Sequence, residues 1–313
     1  IKVLTLGYLY SEKQIYANTS ETESLTMEAV WDGKHIDIVQ NIGQESSGNY
    51  AEIGAGIDFF SDRTELRFSE SNLMALEKTW HISKDNIVVF GEKKIDIKNL
   101  YIFNSDQSID LSGQISILND SAKTLSVAFD NVGVENINSI TNKNYSGIIT
   151  GKIQAQNLYY NPLIFGNLNI YQLKVNEVLV GDVGGALTWN DQNKLFDLSF
   201  DVNRNGSKII DLSGDFYPSN STNQLDLKLR FDQASLDIAE PYAEEFLSEI
   251  DGNIDGEILV KGSLKAPLLE GKGTISNGAL KINYLNTKYT VSGELELEKD
   301  SINFKAFNLT DLN

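Results

Sequence analysis

The chain has 313 residues, of which 41% are hydrophobic, with no cysteine and a formal net charge of -18. Without cysteine it forms neither disulfide bonds nor thiolate metal sites. Its acidic balance excludes the basic stripe that binding to nucleic-acid phosphates or to an anionic leaflet requires. No apolar run approaches the roughly 18 residues of a membrane span. Because the sequence starts at Ile1 and stops at Asn313 directly after a strand-like run, we expect a longer parent protein.

The first part of the chain, residues 1–64, has an irregular pattern. Apolar and polar side chains alternate only in short stretches, as at Ile36 and Ile38 and again at Ile57 and Phe59. A period of two turns one face of a strand toward apolar surroundings and the other toward water. We therefore expect residues 1–64 to be a β segment that continues the architecture of the residues after it.

From residue 65 to residue 238 the alternation becomes regular. In Leu225–Phe231 every second side chain is apolar and those between are charged. The segment Glu70–Thr79 also fits a helix, because its apolar residues cluster, but it runs directly into a strand-like stretch and we favour a strand. Since turn residues recur every ~8–15 residues, the pattern predicts about twenty strands and an all-β fold.

The last part, residues 239–313, opens with the one stretch that favours a helix. Pro241 suits a first helical turn, glutamates lie toward that end, and Gly252 is a stop signal. Phe246 and its apolar neighbours have helical spacing. The sequence predicts a short helix over residues 241–250, followed by glycine-punctuated strands.

A repeated phrase occurs in three of the expected strands. An apolar-alternating run, a Ser-Gly pair and a second such run recur around Gly113, Gly214 and Gly293. Glycine inside a strand weakens it unless the sheet bends or admits a close neighbour. We expect the strands to bend at these glycines, so that the sheet forms a trough or a tube.

Motifs for catalysis and for cofactors are incomplete. Gly147–Ile153 resembles a phosphate-binding loop but is one residue short and lacks the Ser or Thr that binds magnesium. Neither His35 nor His81 has metal-ligand spacing. Asp251–Gly256 matches half of a calcium loop, but position twelve is Gly262 instead of a glutamate, which favours a plain turn. We expect neither an enzyme nor a cofactor.

The last third of the chain resembles the C-terminal region of TamB-like proteins of the AsmA-like group, in the form found in Bacteroidota. The upstream stretch Trp80–Ile115 is also similar to that region. Tyr284–Tyr289, in its glycine framework, is the most specific part of the resemblance. The residues of the last third that carry it are Glu240–Tyr242, Phe246, Gly252, Gly256, Gly262, Pro267, Gly271, Gly278, Tyr284–Tyr289, Gly293, Asp300–Phe304 and Leu309–Asp311.

The resemblance implies an elongated, bent sheet of antiparallel or parallel strands that forms an open groove, the β-taco. Residues 65–238 would form this groove and residues 239–313 its TamB-like end. It further implies a periplasmic protein, anchored in the inner membrane through its full-length parent, that reaches an outer-membrane β-barrel of the TamA or BamA kind. Relatives of this kind are implicated in phospholipid transport and in outer-membrane protein biogenesis.

Apolar side chains at alternating positions are the candidates for the groove lining, where they would contact phospholipid acyl chains. A closed sandwich core is the alternative for each of them. The predicted lining residues are Ile109, Leu111, Ile115, Leu125, Val127, Phe129, Leu225, Leu227, Leu229, Phe231, Ile258, Val260, Ile282, Tyr284, Tyr289, Val291, Leu295 and Leu297.

Two other functions fit an all-β chain of this composition. An extracellular structural or adhesive β-solenoid would bury its interior completely and carry no lipid. A carbohydrate-active β-helix enzyme would need acids and aromatic residues clustered on one exposed face. A passive lipid conduit across the periplasm remains the expectation, because the resemblance implies it and a trough lined by apolar side chains would spare acyl chains the cost of exposure to water.

Overall fold

The computed structural model describes residues 5–311, except for residues 13, 17–19, 45–47, 70, 76–77, 119–122, 136–137, 139–143, 265 and 300. Strands make up 75% of the structure and one short α-helix is present, so the predicted all-β fold class is confirmed. All strand pairings within the two compact units described below are antiparallel.

The chain divides into two compact units. One comprises residues 1–140 and 149–164, and the other comprises residues 141–148 and 165–313. These boundaries differ from the three segments that the sequence pattern suggests.

The first unit is an antiparallel meander. Most strands that are consecutive in the chain are neighbours in the sheet. The exceptions are a small two-stranded hairpin near the N-terminus and two positions where a pair of short strands shares one partner. Its strands, with β14 shared between the units, are β1 (Thr5–Ser11), β2 (Gln14–Tyr16), β3 (Ser20–Thr22), β4 (Ser24–Trp31), β5 (His35–Gln44), β6 (Asn49–Phe59), β7 (Arg63–Phe68), β8 (Asn72–Ala75), β9 (Lys78–Ile82), β10 (Ile87–Gly91), β11 (Lys94–Phe103), β12 (Ser108–Ser116), β13 (Thr124–Gly133) and β14 (Tyr145–Gln156).

At two places in this sheet, two short strands pair with the same neighbour in the place of one long strand. Strands β7 and β8 both pair with β6, and β10 and β9 both pair with β11. Asn86 stabilises this region, since its side chain accepts a hydrogen bond from the Phe68 amide at 2.8 Å and donates one to the Phe68 carbonyl at 2.9 Å. The strand preferred for Glu70–Thr79 is confirmed, because the described residues of this stretch form β8 and the start of β9.

The second unit is also an antiparallel meander, joined by hairpins. Each strand pairs with the one before it and the one after it in sequence. Its strands are β15 (Leu163–Val175, whose first two residues belong to the first unit), β16 (Val178–Asn190), β17 (Leu195–Arg204), β18 (Ser207–Phe216), β19 (Leu225–Ser235), β20 (Leu247–Gly262), β21 (Pro267–Ile282), β22 (Thr287–Glu298) and β23 (Ser301–Asp311).

The helix is shorter than the sequence predicts. A 3₁₀ turn, Leu236–Ala239, leads into α1, Glu240–Ala243, and Leu247 already belongs to β20. The prediction over residues 241–250 is therefore wrong beyond Ala243. Leu247 and Ser248 pair with Ile282 and Lys281 of β21, and these ladder bonds replace those of a continued helix.

The fully buried core of the second unit is small. Five residues, Val202, Ile209, Ile210, Ala234 and Ile254, pack together beneath the 3₁₀ turn, with Leu236 and Ile238 against them. Arg204 fastens the turn through two hydrogen bonds of 2.7 Å to Asp237. Burial opposes ionisation of Asp237, but the bonds to Arg204 hold the pKa of its carboxyl below the ordinary value.

The Ser-Gly glycines have the backbone that only glycine adopts readily. Their φ angles are +125° at Gly113, +136° at Gly214 and +137° at Gly293. The strands beside Gly113 and Gly293 each carry an extra residue opposite the glycine, at Asn99 and at Ala306. Such bulges bend a strand and increase its twist. The repeated glycine therefore marks a distortion of the sheet, as the sequence indicates.

Replacing Gly214 with alanine should destabilise the protein. A Cβ atom there would lie 2.3 Å from the Asp226 carbonyl oxygen, in a backbone conformation that alanine disfavours. We expect a loss of about 1–3 kcal/mol, measured by urea denaturation followed by circular dichroism. Gly206→Asn is the control, because Gly206 has φ +81° in a turn with nothing within 4 Å. Equal stability of Gly214→Ala and the wild type would contradict this account.

Candidate functional site

Most apolar side chains of the second unit share one face of the sheet; Leu259, which lies opposite Lys228 and Glu270, is an exception. Directly opposite residues in an antiparallel pair point to the same side, and the pairings connect apolar positions from strand to strand. Thus Phe200 lies opposite Leu212, which lies opposite Leu229, which lies opposite Ile258. The same holds for Leu227, opposite Val260. We call this the apolar face of the second unit.

The opposite side of the same strands is charged. Asp211 lies opposite Arg230, and Arg230 opposite Glu257. Lys228 Nζ is 2.8 Å and Arg230 Nε 3.1 Å from the Glu257 carboxylate. The bond to Lys228, and then that to Arg230, lowers the pKa of Glu257. Alternation thus separates an apolar face from a polar face of the same strands.

Most of the predicted lining residues are half-buried. They are neither fully buried nor fully exposed, and Leu229 and Phe231 pack against the buried cluster beneath the 3₁₀ turn. The sixteen half-buried members are Ile109, Leu111, Ile115, Leu125, Val127, Phe129, Leu225, Leu227, Leu229, Phe231, Ile258, Val260, Ile282, Tyr289, Leu295 and Leu297.

Two predicted lining residues are placed differently. Tyr284 is 96% exposed, because it lies in the turn between β21 and β22 instead of in a strand. Val291 is only 3% exposed, since Gly278 opposite it has no side chain and lets Val291 pack closely against the sheet. Tyr284 therefore does not line the face, and Val291 belongs to the packed interior.

The first unit has an apolar face of its own. Ile109 lies opposite Phe129 and Leu111 opposite Val127, while Ile115 lies opposite Ile95. The six predicted residues of β12 and β13 are therefore on one side of that unit's sheet. The structure distributes the predicted lining over two faces, one in each unit.

The structure adds strands to both faces that the predicted lining set omits. In the second unit these include Val183 and Leu187 on β16 and Phe196, Leu198 and Phe200 on β17, all paired into the same rows. The alternation of apolar and polar residues in these two strands is visible in the sequence, and that pattern could have identified them as lining residues.

Toward the N-terminus, where the sequence pattern is irregular, the apolar face of the first unit consists of side chains that lie opposite one another on paired strands. Ile36 lies opposite Trp31 and Ile57, Ile57 lies opposite Leu66, and Leu66 lies opposite Val88. Only pairing reveals this row, because short stretches of alternation do not define a register by themselves.

Ion pairs join the last three strands on their polar face. Glu296 on β22 lies 2.9 Å from Lys272 Nζ of β21 and also pairs with Lys305 of β23. The bond to Lys305, and then that to Lys272, lowers the pKa of Glu296 to about 2. The carboxylate is therefore ionised at neutral pH. It bridges the three strands on the side of the sheet that faces away from Leu295 and Leu297.

His35 holds a comparable position on the polar face of the first unit. Its Nδ1 atom is 2.7 Å from Asp58 and its Nε2 atom is 3.0 Å from Asp37. Asp58 also accepts a hydrogen bond from Arg67 at 3.2 Å. Hydrogen bonds to Asp37 and then to Asp58 raise the pKa of the imidazole above 6.5. The protonated ring satisfies both carboxylates.

The described residues contain no group of three or more histidines and acids placed to hold a metal ion. Asp251–Gly256 lies inside β20, so the prediction of a plain turn there is wrong. The ladder pairs Asp255 with Thr274 and Gly256 with Gly273, which fixes this stretch as strand.

Among the described residues, no helix is both long enough and apolar enough to cross a membrane. No family model, no curated protein and no solved structure matches the chain. The likeness to TamB-like proteins therefore rests on the sequence features named above. The functional argument rests on the two apolar faces.

Stability should depend on the charge of His35. A folded-state pKa above 6.5 stabilises the protein fully below that pH, and this contribution is lost as the pH rises through the folded pKa. We expect unfolding free energy to fall by at most about 1 kcal/mol between about pH 6 and pH 8, as for a partly exposed ion pair. Urea denaturation over this range measures the effect.

Asp58→Asn provides the matched variant, because it removes one partner of His35 and keeps the side-chain shape. NMR titration should show the His35 pKa moving down toward its ordinary value in this variant. An unchanged His35 pKa would refute the assigned network.

Proposed function

We propose that the chain is a passive conduit segment that carries phospholipid acyl chains along its apolar faces. The observation that carries the proposal is the row-by-row alignment of half-buried apolar side chains on one side of the second unit's sheet. Among the described residues, the 3₁₀ turn covers this side around Val202, Ile210 and Ile254. A closed domain would cover such a face with a second layer. Acyl chains would supply the missing cover.

The energetics favour this occupant. Transfer of one CH₂ group from apolar surroundings to water costs about 0.8 kcal/mol, so exposing two long acyl chains costs on the order of 20 kcal/mol. An apolar face that contacts the chains removes most of this cost while the headgroup stays in water. Because acyl chains are fluid and uniform, the face needs no specific pocket.

The charged side of the sheet supports the same function. Its ion pairs keep that side soluble, so only one surface of each unit attracts a lipid. The net charge of -18 disfavours adsorption to an anionic leaflet, which would compete with guided transfer. No bound energy source is needed for a passive slide, and direction would come from elsewhere.

The resemblance to TamB-like proteins supplies the proposed setting. In that setting the chain is part of a periplasmic protein that joins an inner-membrane anchor to an outer-membrane β-barrel of the TamA or BamA kind. The function would then be phospholipid transport in support of outer-membrane biogenesis. An extracellular adhesive β-solenoid remains the alternative function, but its tightly filled interior contrasts with the half-buried faces found here.

The purified chain should contain phospholipid. Native mass spectrometry and lipid extraction measure the bound amount. Leu227→Asp places a charge on the apolar face, and burial of that charge against acyl chains is strongly unfavourable. We expect bound phospholipid to fall roughly tenfold, the change that about 1.4 kcal/mol produces.

Ser213→Asp is the matched control. Ser213 lies on the neighbouring strand opposite Lys228, so the same charge there points to the polar face. This variant should keep its lipid, and both variants should keep the β signal in circular dichroism. Absence of lipid from the wild type, or unfolding of Leu227→Asp alone, would favour a closed core and contradict the proposal.

A further inference from the structure

Four large apolar side chains protrude at one end of the strands of the second unit. Tyr242 and Phe246 are each 66% exposed, Tyr284 is 96% exposed and Leu285 is 52% exposed. Two lie on the connection from β19 to β20, and two lie in the turn from β21 to β22. We call these four residues the tip patch.

Hydrogen bonds hold the two parts of the tip patch side by side. The Asn283 amide donates to the Phe246 carbonyl at 3.0 Å, and Asn283 Nδ2 donates to the Glu244 carbonyl at 3.0 Å. The Ser248 hydroxyl bonds Asn283 Oδ1 at 2.6 Å. The backbone that carries the protruding side chains is therefore already held in place, and binding does not have to order it.

We propose that the tip patch inserts into the interface of a zwitterionic phospholipid bilayer. Tyrosine and phenylalanine suit this layer, because their rings are apolar and a tyrosine hydroxyl such as that of Tyr284 can reach water or headgroups. The Tyr242 hydroxyl is instead hydrogen-bonded to Tyr145. The exposed patch area is on the order of 500 Å², given ~150–250 Å² for each aromatic side chain. That is less than the roughly 800 Å² that a stable protein partner covers.

The surrounding charge specifies the type of bilayer. The flanking residues are acidic on balance, which repels an anionic surface and leaves a zwitterionic one as the complementary partner. Lys281 and Lys288, which both pair with Glu249, do not reverse this balance, because the four flanking glutamates outnumber them. The acidic flanking residues are Glu240, Glu244, Glu245 and Glu249.

The apolar face begins directly behind the tip patch. Leu247 lies opposite Ile282 where β20 and β21 meet the two connections, and Leu280 lies opposite Tyr289 one row further. A lipid leaving a bilayer at the tip patch would meet apolar side chains at once. This transfer from bilayer to apolar face deepens the proposed conduit function and rests on it. Insertion into the bilayer rests on the tip patch alone.

Flotation with phosphatidylcholine vesicles tests the insertion, using the full 313-residue chain. The double variant Phe246→Ser/Tyr284→Ser should lower vesicle binding about tenfold or more, since it removes two exposed rings. Tyr159→Ser/Tyr160→Ser is the control, because those rings are 60% and 59% exposed on a different connection. Adding phosphatidylglycerol to the vesicles should weaken wild-type binding.

A single introduced thiol reports the point of contact. The chain has no cysteine, so Tyr284→Cys and Tyr160→Cys each carry one label. An environment-sensitive fluorophore at position 284 should shift to the blue on mixing with vesicles, and the one at position 160 should not. No vesicle binding by the wild type, equal losses in both double variants, or a shift at position 160 alone would overturn the inference.

Bound phospholipid, measured in the same preparations, separates the two proposals. If the tip variant floats poorly but keeps its copurified phospholipid, the tip patch is a docking element and the conduit function stands. If every variant floats normally and none contains phospholipid, the conduit function fails and the tip patch inference fails with it. Flotation that depends on the patch without bound phospholipid supports the docking surface alone.

Discussion

The register of the antiparallel ladders is the constraint on which the rest of the structure depends. Alternation sorts side chains within one strand, but a slip of one residue would turn a whole strand over. In the second unit the pairings keep Phe200, Leu212, Leu229 and Ile258 in one row. Antiparallel pairing of consecutive strands preserves this order, so each strand takes its orientation from the one before it.

The two faces of such a sheet contribute unequally to its stability. The fully buried cluster around Ile210 and Ile254 is small, and most apolar side chains stay half-buried. Cross-strand ion pairs, such as those of Glu257 and Glu296, act on the other face. Partly exposed pairs contribute modestly, so the backbone ladders and the apolar face together hold the meander. A ligand that covers the apolar face would add to this stability.

Several features were readable in the sequence because they are local. Period-two alternation gave the all-β class, and the mid-strand glycines at positions 113, 214 and 293 marked the unusual backbone found there. The helix predicted over residues 241–250 is present only at its start, as α1, because strand pairing competes with propensity and capping signals beyond Ala243. Leu247 and Ser248 join β20, where β21 supplies ladder partners that a sequence pattern does not reveal.

The sequence by itself determined that the chain is made of strands with one apolar and one polar side, since that follows from the two-residue repeat. Tertiary structure decided which rows align and how deeply each side chain is buried. It placed Val291 in the interior and Tyr284 on an exposed turn, although both follow the apolar pattern. The reason is that burial depends on the register between strands, which sets Gly278 opposite Val291 and leaves Tyr284 in a turn instead of a strand.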